Sequence, residues 1–173
     1  MRATLVILSG MPGVGKTAIA RELASQIGAV HLRIDSIEQV IRSSQSPSDS
    51  LDDAGYRIAY AVSEDNLRVG LTVIADSVNP ILLTRDAWVE VAKRAGVHAL
   101  EVEIQCSDAA EHRRRVQTRV TDVPGLKLPT WEEVLAREYA PWNREHLVLD
   151  TAARTLAQNV DTIREALRES LLR

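Results

Sequence analysis

Residues 10–17 have the types and spacing of a site that binds phosphate groups. They read G-M-P-G-V-G-K-T and match the pattern G-x-x-x-x-G-K-[ST] of the phosphate-binding loop, or P-loop. Glycines let the backbone come close to a phosphate, and the start of the following helix points its N–H groups at it. Lys16 would reach the outer phosphates, and the Thr17 hydroxyl can bind Mg²⁺. The motif therefore predicts binding of a nucleoside triphosphate.

The sequence around the motif supports this interpretation. An apolar run, residues 5–8, comes directly before it, and a helix-like stretch, residues 18–27, comes directly after it. The alternative is a glycine-rich turn that binds nothing, which would need neither flanking element. We expect the nucleotide to contact the following residues: Gly10, Pro12, Gly13, Val14, Gly15, Lys16, Thr17 and Ala18.

Two aspartates stand at the ends of other apolar runs. Asp76 follows residues 72–75, and Asp35 follows residues 29–34. Ligands of open parallel sheets bind at the carboxyl ends of the strands, so both carboxylates should lie near the P-loop. One would support Mg²⁺, and the other would orient an acceptor hydroxyl and take its proton. We assign the metal to Asp76 and the proton to Asp35, although the exchanged roles, or two simple helix caps, also fit the sequence.

Four arginines lie on one predicted helix, residues 108–120: Arg113, Arg114, Arg115 and Arg119. Arg115 and Arg119 are four positions apart and share a face, from which they could reach phosphates. The other two are expected on a solvated face beside Glu111. A loop with two prolines and a glycine follows, and we call this segment, residues 121–129, the lid loop. It could close over substrates or be a plain surface connection.

The elements that must position these residues alternate along the chain. Predicted strands cover residues 4–9, 29–34, 72–75, 100–106 and 146–149, with helical patterns between them. Such alternation predicts an α/β fold, a parallel sheet wrapped by helices. The alternating strand near residue 103 should lie near an edge with one face partly wet. Thr130 should open a helix through a capping box, and Gly28, Gly70 and Gly96 should end helices.

Composition limits the function classes. The chain has 173 residues, 45% of them apolar and 26% charged, a formal net charge of −3 and only 3% aromatic residues. An acidic chain with few aromatics is a poor general binder of nucleic acid. The lone Cys106 fits a reducing cytoplasm, which we expect as the location. No apolar run is long enough to span a membrane. We expect one domain over residues 1–173, with a lid at about 113–130, and a mobile serine-rich loop over residues 43–53.

The four histidines, His31, His98, His112 and His146, show no metal-ligand spacing. We expect them at the surface or at strand ends.

Together these motifs resemble small P-loop kinases of the AAA-type ATPase and kinase group. This group includes the polynucleotide kinase N-terminal domain, chloramphenicol phosphotransferase, gluconate kinase and the zeta-toxin kinases. Ile34-Asp35 resembles their strand-end general base, and residues 75–80 (A-D-S-V-N-P) resemble their Asp-x-x-Asn-Pro element. Arg115 and Arg119 resemble their paired lid arginines, one against the nucleotide and one on the transferred phosphoryl group. The resemblance implies a five-stranded parallel sheet in the order 2-3-1-4-5 with helices on both faces and a helical lid.

The resemblance implies an ATP- and Mg²⁺-dependent kinase that phosphorylates a small-molecule hydroxyl, such as that of an antibiotic, sugar, nucleoside or nucleotide sugar. Lys16, Asp35 and Arg119 would be catalytic, and Asp35, Arg57, Asp76 and Asn79 would meet the substrate. A nucleoside monophosphate kinase is an alternative, with Arg33 and Arg57 gripping the acceptor. A nucleic-acid 5′-hydroxyl kinase and an ATP-binding regulatory module with slow hydrolysis are two more. The absence of an N-K-x-D motif argues against a GTPase switch.

Overall fold

The computed structural model describes residues 2–44 and 53–170. The strands are β1 (Thr4–Ser9), β2 (Val30–Arg33), β3 (Val73–Asp76), β4 (His98–Gln105) and β5 (Leu147–Asp150). The helices in the described ranges are α1 (Lys16–Ile27), α2 (Ile34–Ser44), α3 (Ala54–Arg68), α4 (Leu82–Ala95), α5 (Ala109–Thr118), α6 (Trp131–Ala136) and α7 (Leu156–Glu169). None of these helices is long and apolar enough to cross a membrane.

The five strands form one parallel sheet in the order β2-β3-β1-β4-β5, which confirms the predicted topology. The first strand is central: Leu5 pairs with Val73 on one side and with Ala99 on the other. All carboxyl ends of the strands therefore face the same way. The P-loop, which follows the central strand, opens between the ends of its two neighbours.

Alternate residues of β1 serve two separate cores. Val6 and Leu8 face α1 and α7, within a cluster that includes Leu23 and Ile163. Leu5 and Ile7 face α3 and α4, where Trp88 is fully buried. A strand covered by helices on both faces has no solvated face, which explains its continuous apolar sequence. The sheet is thus a rigid support for the loops at its carboxyl edge.

The alternating strand β4 lies one position from the sheet edge, but its charged residues do not face open water. Glu101 accepts hydrogen bonds from Arg144 at 2.6 Å, and Glu103 is buried beside Nε2 of His146 at 3.2 Å. The segment before β5 covers them. The prediction of a partly wet face is therefore wrong for these two carboxylates, because distant residues supply the cover.

Several helix boundaries follow the predicted signals. Gly28 and Gly96 cap α1 and α4 with φ angles of 66° and 68°, in the left-handed region that glycine adopts most easily. Thr130 opens α6 through the predicted capping box. Other boundaries differ. Ser43 and Ser44 belong to α2 rather than to the predicted serine-rich loop, and residues 45–52 of that loop lie outside the described residues.

Candidate functional site

The P-loop has a backbone path that only glycine allows at two of its positions. Gly10 has φ 142°, and a Cβ there would lie 2.2 Å from the carbonyl oxygen of Ile104. Gly13 has φ 86°, and a Cβ there would lie 2.6 Å from Cγ2 of Val116. Both distances are far inside van der Waals contact. The loop is therefore a tight cradle whose shape depends on the missing side chains.

Two carbonyls of the loop are contacted by distant parts of the chain. Oγ1 of Thr151 donates to the carbonyl oxygen of Val14 at 2.8 Å, and Nε2 of His112 lies 2.8 Å from that of Pro12. The first backbone hydrogen bond of α1 runs from Ile19 to Gly15. The N–H groups of the residues before Ile19 have no intrahelical partner, and the helix dipole adds positive potential there. This arrangement fits the phosphates of a nucleotide.

Lys16 lies within this cradle. Its Nζ donates to the carbonyl oxygens of Gly10 and Met11, at 2.8 and 2.9 Å. Burial lowers its pKa to about 8, and the nearby carboxylates of Asp76 and Asp35 limit the fall. Lys16 is therefore a desolvated ammonium group at neutral pH, positioned to neutralise phosphate charge.

Asp76 ends β3 beside the first turn of α1 and is only 4% exposed. Burial would raise the pKa of Asp76, but a hydrogen bond from His31, the charge of Lys16 and the Thr17 hydroxyl together lower it. Nε2 of His31 lies 3.2 Å from Oδ2 of Asp76. An ionised carboxylate next to a hydroxyl suits Mg²⁺, which prefers oxygen ligands.

These two oxygen donors do not form a complete metal cage. Residues 2–44 and 53–170 contain no group of three or more acidic, histidine or cysteine side chains that could hold a metal. Mg²⁺ commonly binds through one or two protein ligands together with substrate phosphates and water. Thr17 and Asp76 fit that mode, and their position at the P-loop is where such phosphates would lie.

The P-loop opens into a cleft of about 470 Å³. Its walls include Asp35 in the first turn of α2, Arg119 after α5, the lid loop and Arg137 after α6. The structure therefore brings Lys16, Asp35 and Arg119 to one cavity, from three different elements. This agrees with the sequence-based expectation for the three residues.

Asp35 belongs to a helix and not to a strand end. The helix α2 begins at Ile34, directly after β2, so the predicted strand ends one residue early. The Asp35 side chain is 53% exposed, and its Oδ2 lies 3.6 Å from Nη2 of Arg33. This carboxylate is solvated and open to the cleft, which suits a group that must approach a substrate.

The two lid arginines have different surroundings. Arg115 is held by Glu111 at 2.7 Å and by Oγ1 of Thr151 at 2.8 Å, on the side where Thr151 supports the P-loop. Burial lowers the pKa of Arg119, and the charge of Asp35 opposes this. The Nε of Arg119 is buried and has no hydrogen-bond partner among the described residues. Arg119 is therefore a cation with spare donors in the cleft.

The other two arginines of α5 are exposed, as the sequence predicted. Arg114 pairs with Glu111 at 2.6 Å, and Arg113 faces solvent. Neither lines the cleft.

Asn79 does not meet the cleft, contrary to its predicted contact with substrate. It is fully buried with φ 48°. Its Nδ2 donates to the carbonyl oxygen of Leu8 and to Oγ of Ser9, at 3.2 and 3.1 Å, and its Oδ1 accepts from Nε1 of Trp88 at 3.1 Å. The amide is fully used within the protein, so Asn79 holds the turn after β3 against β1.

Arg57 also lies away from the cleft. Its side chain is 75% exposed on α3, with Asp53 as a distant ion-pair partner at 3.9 Å. It is not among the residues that line the cleft. The expected contact of Arg57 with substrate is therefore not supported, because α3 directs this residue to solvent.

The lid loop is tied to the rest of the site by Asp122, which the sequence did not single out. Its carboxylate pairs with Arg21 of α1 and accepts a hydrogen bond from Arg33 at 2.8 Å. The Arg33 and Arg21 hydrogen bonds lower the pKa of Asp122. The lid loop therefore lies across the cleft. No local sequence pattern predicts the contact of Asp122 with Arg21 and Arg33.

Three histidines have specific partners; His146 lies at a strand end as expected, whereas His31 lies within β2 and His112 within α5. His31 contacts Asp76, His112 contacts the P-loop, and His146 contacts Glu103 and stacks on Trp142. The fourth, His98, is exposed at the start of β4. His31 and His112 support the phosphate site indirectly. Their partners are distant along the chain, so residue spacing could not reveal these contacts.

Comparison with known proteins agrees with this fold. A family model described as AAA domain matches residues 5–141, and the chain belongs to this family. The expected resemblance to AAA-type P-loop proteins is thereby confirmed.

Two curated relatives illustrate the range of the match. The chain is 24% identical over 177 residues to the Probable adenylyl-sulfate kinase of Aeropyrum pernix, covering 92% of this chain and 89% of that protein. It is 32% identical over 83 residues to Lon protease homolog 2, peroxisomal, of Pichia angusta. That match covers 48% of this chain and only 8% of the protease, so it concerns a shared segment.

Among solved structures, the Mycobacterium tuberculosis APS kinase CysC in complex with AMPPNP and APS has a TM-score of 0.74. The identity is 17%, with 96% of this chain and 98% of that chain covered. This likeness shows that the two proteins share a fold over nearly their whole length.

Proposed function

We propose that this protein is an ATP- and Mg²⁺-dependent kinase that transfers a γ-phosphoryl group to a hydroxyl of a small molecule. The observation that carries the proposal is the meeting of Lys16, Asp35 and Arg119 in one cleft beside the P-loop. A nucleotide-binding module without an acceptor would have no use for a solvated carboxylate opposite the loop.

The donor half of the cleft consists of the P-loop with Lys16, Thr17 and Asp76. Backbone N–H groups and Lys16 would bind the β- and γ-phosphates, and Arg115 would contact the nucleotide. Thr17 and Asp76 would hold Mg²⁺, which would supply charge neutralisation for the phosphates. The loop backbone has its cradle shape before the nucleotide arrives, which supports binding with little rearrangement of its N–H groups.

The acceptor half contains Asp35, the lid loop, Lys127 and Arg137. Asp35 would orient the acceptor hydroxyl and take its proton as the oxygen attacks the γ-phosphorus. The new oxygen–phosphorus bond forms as the bond to the β-phosphate oxygen breaks, which yields ADP and a phosphoester. Arg119, between the two halves, would neutralise charge on the transferred group.

A coupled ADP-release assay against antibiotics, sugars, nucleosides and nucleotide sugars tests this proposal. We expect release above the basal ATPase rate with one acceptor class. Lys16→Ala and Asp35→Asn should abolish the increase, and Asp65→Asn, an exposed carboxylate on α3, should leave it intact. A fully active Asp35→Asn protein would show that Asp35 is not the general base. ATP hydrolysis that no acceptor stimulates would support a regulatory module instead.

A nucleoside monophosphate kinase is the second candidate. Arg33, Lys127 and Arg137 line the cleft and could grip a phosphate acceptor. Such an acceptor is already an anion and needs no base. Inclusion of AMP, CMP, GMP and UMP in the same assay therefore separates the candidates: transfer to one of them that survives Asp35→Asn would favour the monophosphate kinase.

A further inference from the structure

The charge of the cleft differs in sign from the charge of the whole chain. Among the described residues, its lining has eight basic side chains: Lys16, Arg21, Arg33, Arg42, Arg115, Arg119, Lys127 and Arg137. It has four carboxylates: Asp35, Glu38, Asp76 and Asp122. The formal excess is four positive charges, in a chain with a formal net charge of −3. Basic residues are therefore concentrated at this site.

Most of these cations already have a partner or a place in the donor half. Arg21 and Arg33 pair with Asp122, and Arg42 pairs with Glu38 at 3.0 Å. Lys16, Arg115 and Arg119 serve the nucleotide and the transferred group in the proposed function. Each of these six therefore has a carboxylate partner or an assigned role toward the nucleotide.

Of the eight basic side chains that line the cleft in the described part of the chain, only Lys127 and Arg137 have neither a partner nor a role in the donor half. Within residues 2–44 and 53–170, neither makes an ion pair or a side-chain hydrogen bond. They come from the lid loop and from the end of α6, and both line the cavity that Asp35 lines. The Nε of Arg33, in the same wall, is buried and has no partner among the described residues. Within the described ranges, Lys127 and Arg137 thus offer two unpaired cations to the cavity, and the wall beside them holds one buried, unpaired Nε.

Unpaired cations that face a cavity favour an anionic ligand. Lys127 and Arg137 are exposed, and a neutral sugar or antibiotic that fills the cavity would take water from these charges without compensating them. A sulfate, phosphate or carboxylate would pair with them, and the planar donors of arginine suit such oxygens. The charge balance therefore distinguishes among the acceptors that the proposed function leaves open.

We propose that the acceptor carries an anionic group in addition to the hydroxyl that is phosphorylated, and that Lys127 and Arg137 bind this group. The proposal rests on the proposed function, because it names the chemistry of the acceptor of that reaction. The hydroxyl would then lie toward Asp35 and the γ-phosphate, since the anion anchors the opposite end of the acceptor.

Calorimetry on the complex with Mg²⁺ and AMPPNP tests the proposed anion site. The experiment does not require the acceptor to be known. Inorganic sulfate, phosphate or acetate is titrated into protein saturated with Mg²⁺ and AMPPNP, at constant ionic strength because exposed charges are screened by salt. We expect saturable binding of at least one anion with a Kd of about 1 mM. The anion that binds best indicates whether the group is a sulfate, a phosphate or a carboxylate.

Variants locate the site. Arg137→Ala and Lys127→Ala should each weaken the anion about tenfold while AMPPNP affinity stays unchanged. Arg113→Ala removes an exposed arginine outside the cleft and should change neither affinity. Thermal melting of each variant shows that it is folded, and Arg137→Lys should recover part of the affinity because it restores the charge.

The outcomes are separable from those of the proposed function. No saturable anion binding to the AMPPNP complex would overturn the inference and leave the kinase proposal standing. The inference also fails if Arg137→Ala weakens AMPPNP and not the anion, because Arg137 then belongs to the donor half. If AMPPNP itself does not bind, the proposed function fails, and the inference fails with it.

Discussion

The two halves of the cleft are built in different ways. The donor half is a single stretch of backbone after β1, shaped by Gly10 and Gly13 and closed by Asp76 from the neighbouring strand. The acceptor half is assembled from charged side chains on α2, the lid loop and the end of α6. The first uses backbone N–H groups that any sequence possesses, and the second uses side chains that can be exchanged one by one.

This difference predicts that the donor half is general and the acceptor half specific. A Cβ at Gly13 would displace the loop itself, so few residues are tolerated there. Asp122, in contrast, is a half-exposed carboxylate in ion pairs that solvent partly screens. We expect changes in the donor half to impair nucleotide binding, and changes in the acceptor half to alter the choice of acceptor.

Arg119, between the halves, should give the largest effect. Arg119→Ala is expected to lower kcat by about 10³-fold or more, because a cation that stabilises the transferred phosphoryl group is lost. Affinity for AMPPNP should change only slightly. Steady-state kinetics and calorimetry measure the two effects. Arg113→Ala, at an exposed position of the preceding helix α5, is the control, and an unchanged kcat for Arg119→Ala would refute the assignment.

Gly13→Ala tests the rigid backbone of the donor half. The new Cβ would lie 2.6 Å from Cγ2 of Val116 at a φ of 86°. We expect AMPPNP affinity to fall by about 10²-fold, since the N–H groups lose their alignment. Gly70→Ala is a matched control with φ 89° and no atom within 4 Å of its Cβ. It should keep the affinity, and equal losses in both variants would contradict the role of the cradle.

Asn79→Ala decides between a structural residue and a substrate contact. Loss of its amide leaves Nε1 of Trp88 and the carbonyl oxygen of Leu8 without that partner. We expect the free energy of unfolding to fall by about 2 kcal/mol, measured by urea denaturation. Asn66→Ala, on α3, should cost less. A raised KM for the acceptor with unchanged stability would show instead that Asn79 contacts the substrate.

The pKa of Lys16 predicts a pH dependence of nucleotide binding. Burial lowers this pKa to about 8, so the empty protein loses the Lys16 charge as the pH rises through that value. Bound phosphates favour the charged form and raise the pKa. AMPPNP affinity should therefore be flat below pH 7 and fall by about tenfold between pH 7 and pH 9. Calorimetry in two buffers at pH 8.5 should show proton uptake, which Lys16→Ala removes.

Asp122→Asn should give the smallest effect and act on the acceptor half alone. The variant removes the ion pairs that hold the lid loop to Arg21 and Arg33. Because these pairs are partly exposed, we expect the acceptor KM to rise by about fivefold or less. Nucleotide affinity should not change. A loss of AMPPNP binding in this variant would show that the lid loop also orders the donor half.

The sequence could predict those parts of the site whose geometry is local. The motif at residues 10–17, the five strands and the capping box at Thr130 all follow from patterns within a few residues of one another. Asp35 and Asp76 could be placed near the P-loop because parallel strands end at one edge of a sheet. Asn79 was misplaced, because a motif shows that a side chain is needed and does not show which way it points.

The residues that the sequence did not reveal are those whose partners are distant along the chain. Asp122 pairs with Arg33 across 89 positions, and His112 contacts Pro12 across 100. Arg137 carries no motif, and only the folded structure shows that it lines the same cleft as Asp35. Such contacts depend on how helices pack on the sheet, which periodicity does not specify.

By itself, the sequence determined the parallel α/β sheet, its strand order through family resemblance, and a phosphate-binding loop at its centre. The tertiary structure alone decided which polar and charged side chains face the cleft and which face solvent or the core. Arg57 and Asn79 turned away from it, while Lys127 and Arg137 face it. The physical reason is that backbone hydrogen bonds and apolar periodicity act locally, whereas the direction of a polar side chain depends on neighbours brought together only by folding.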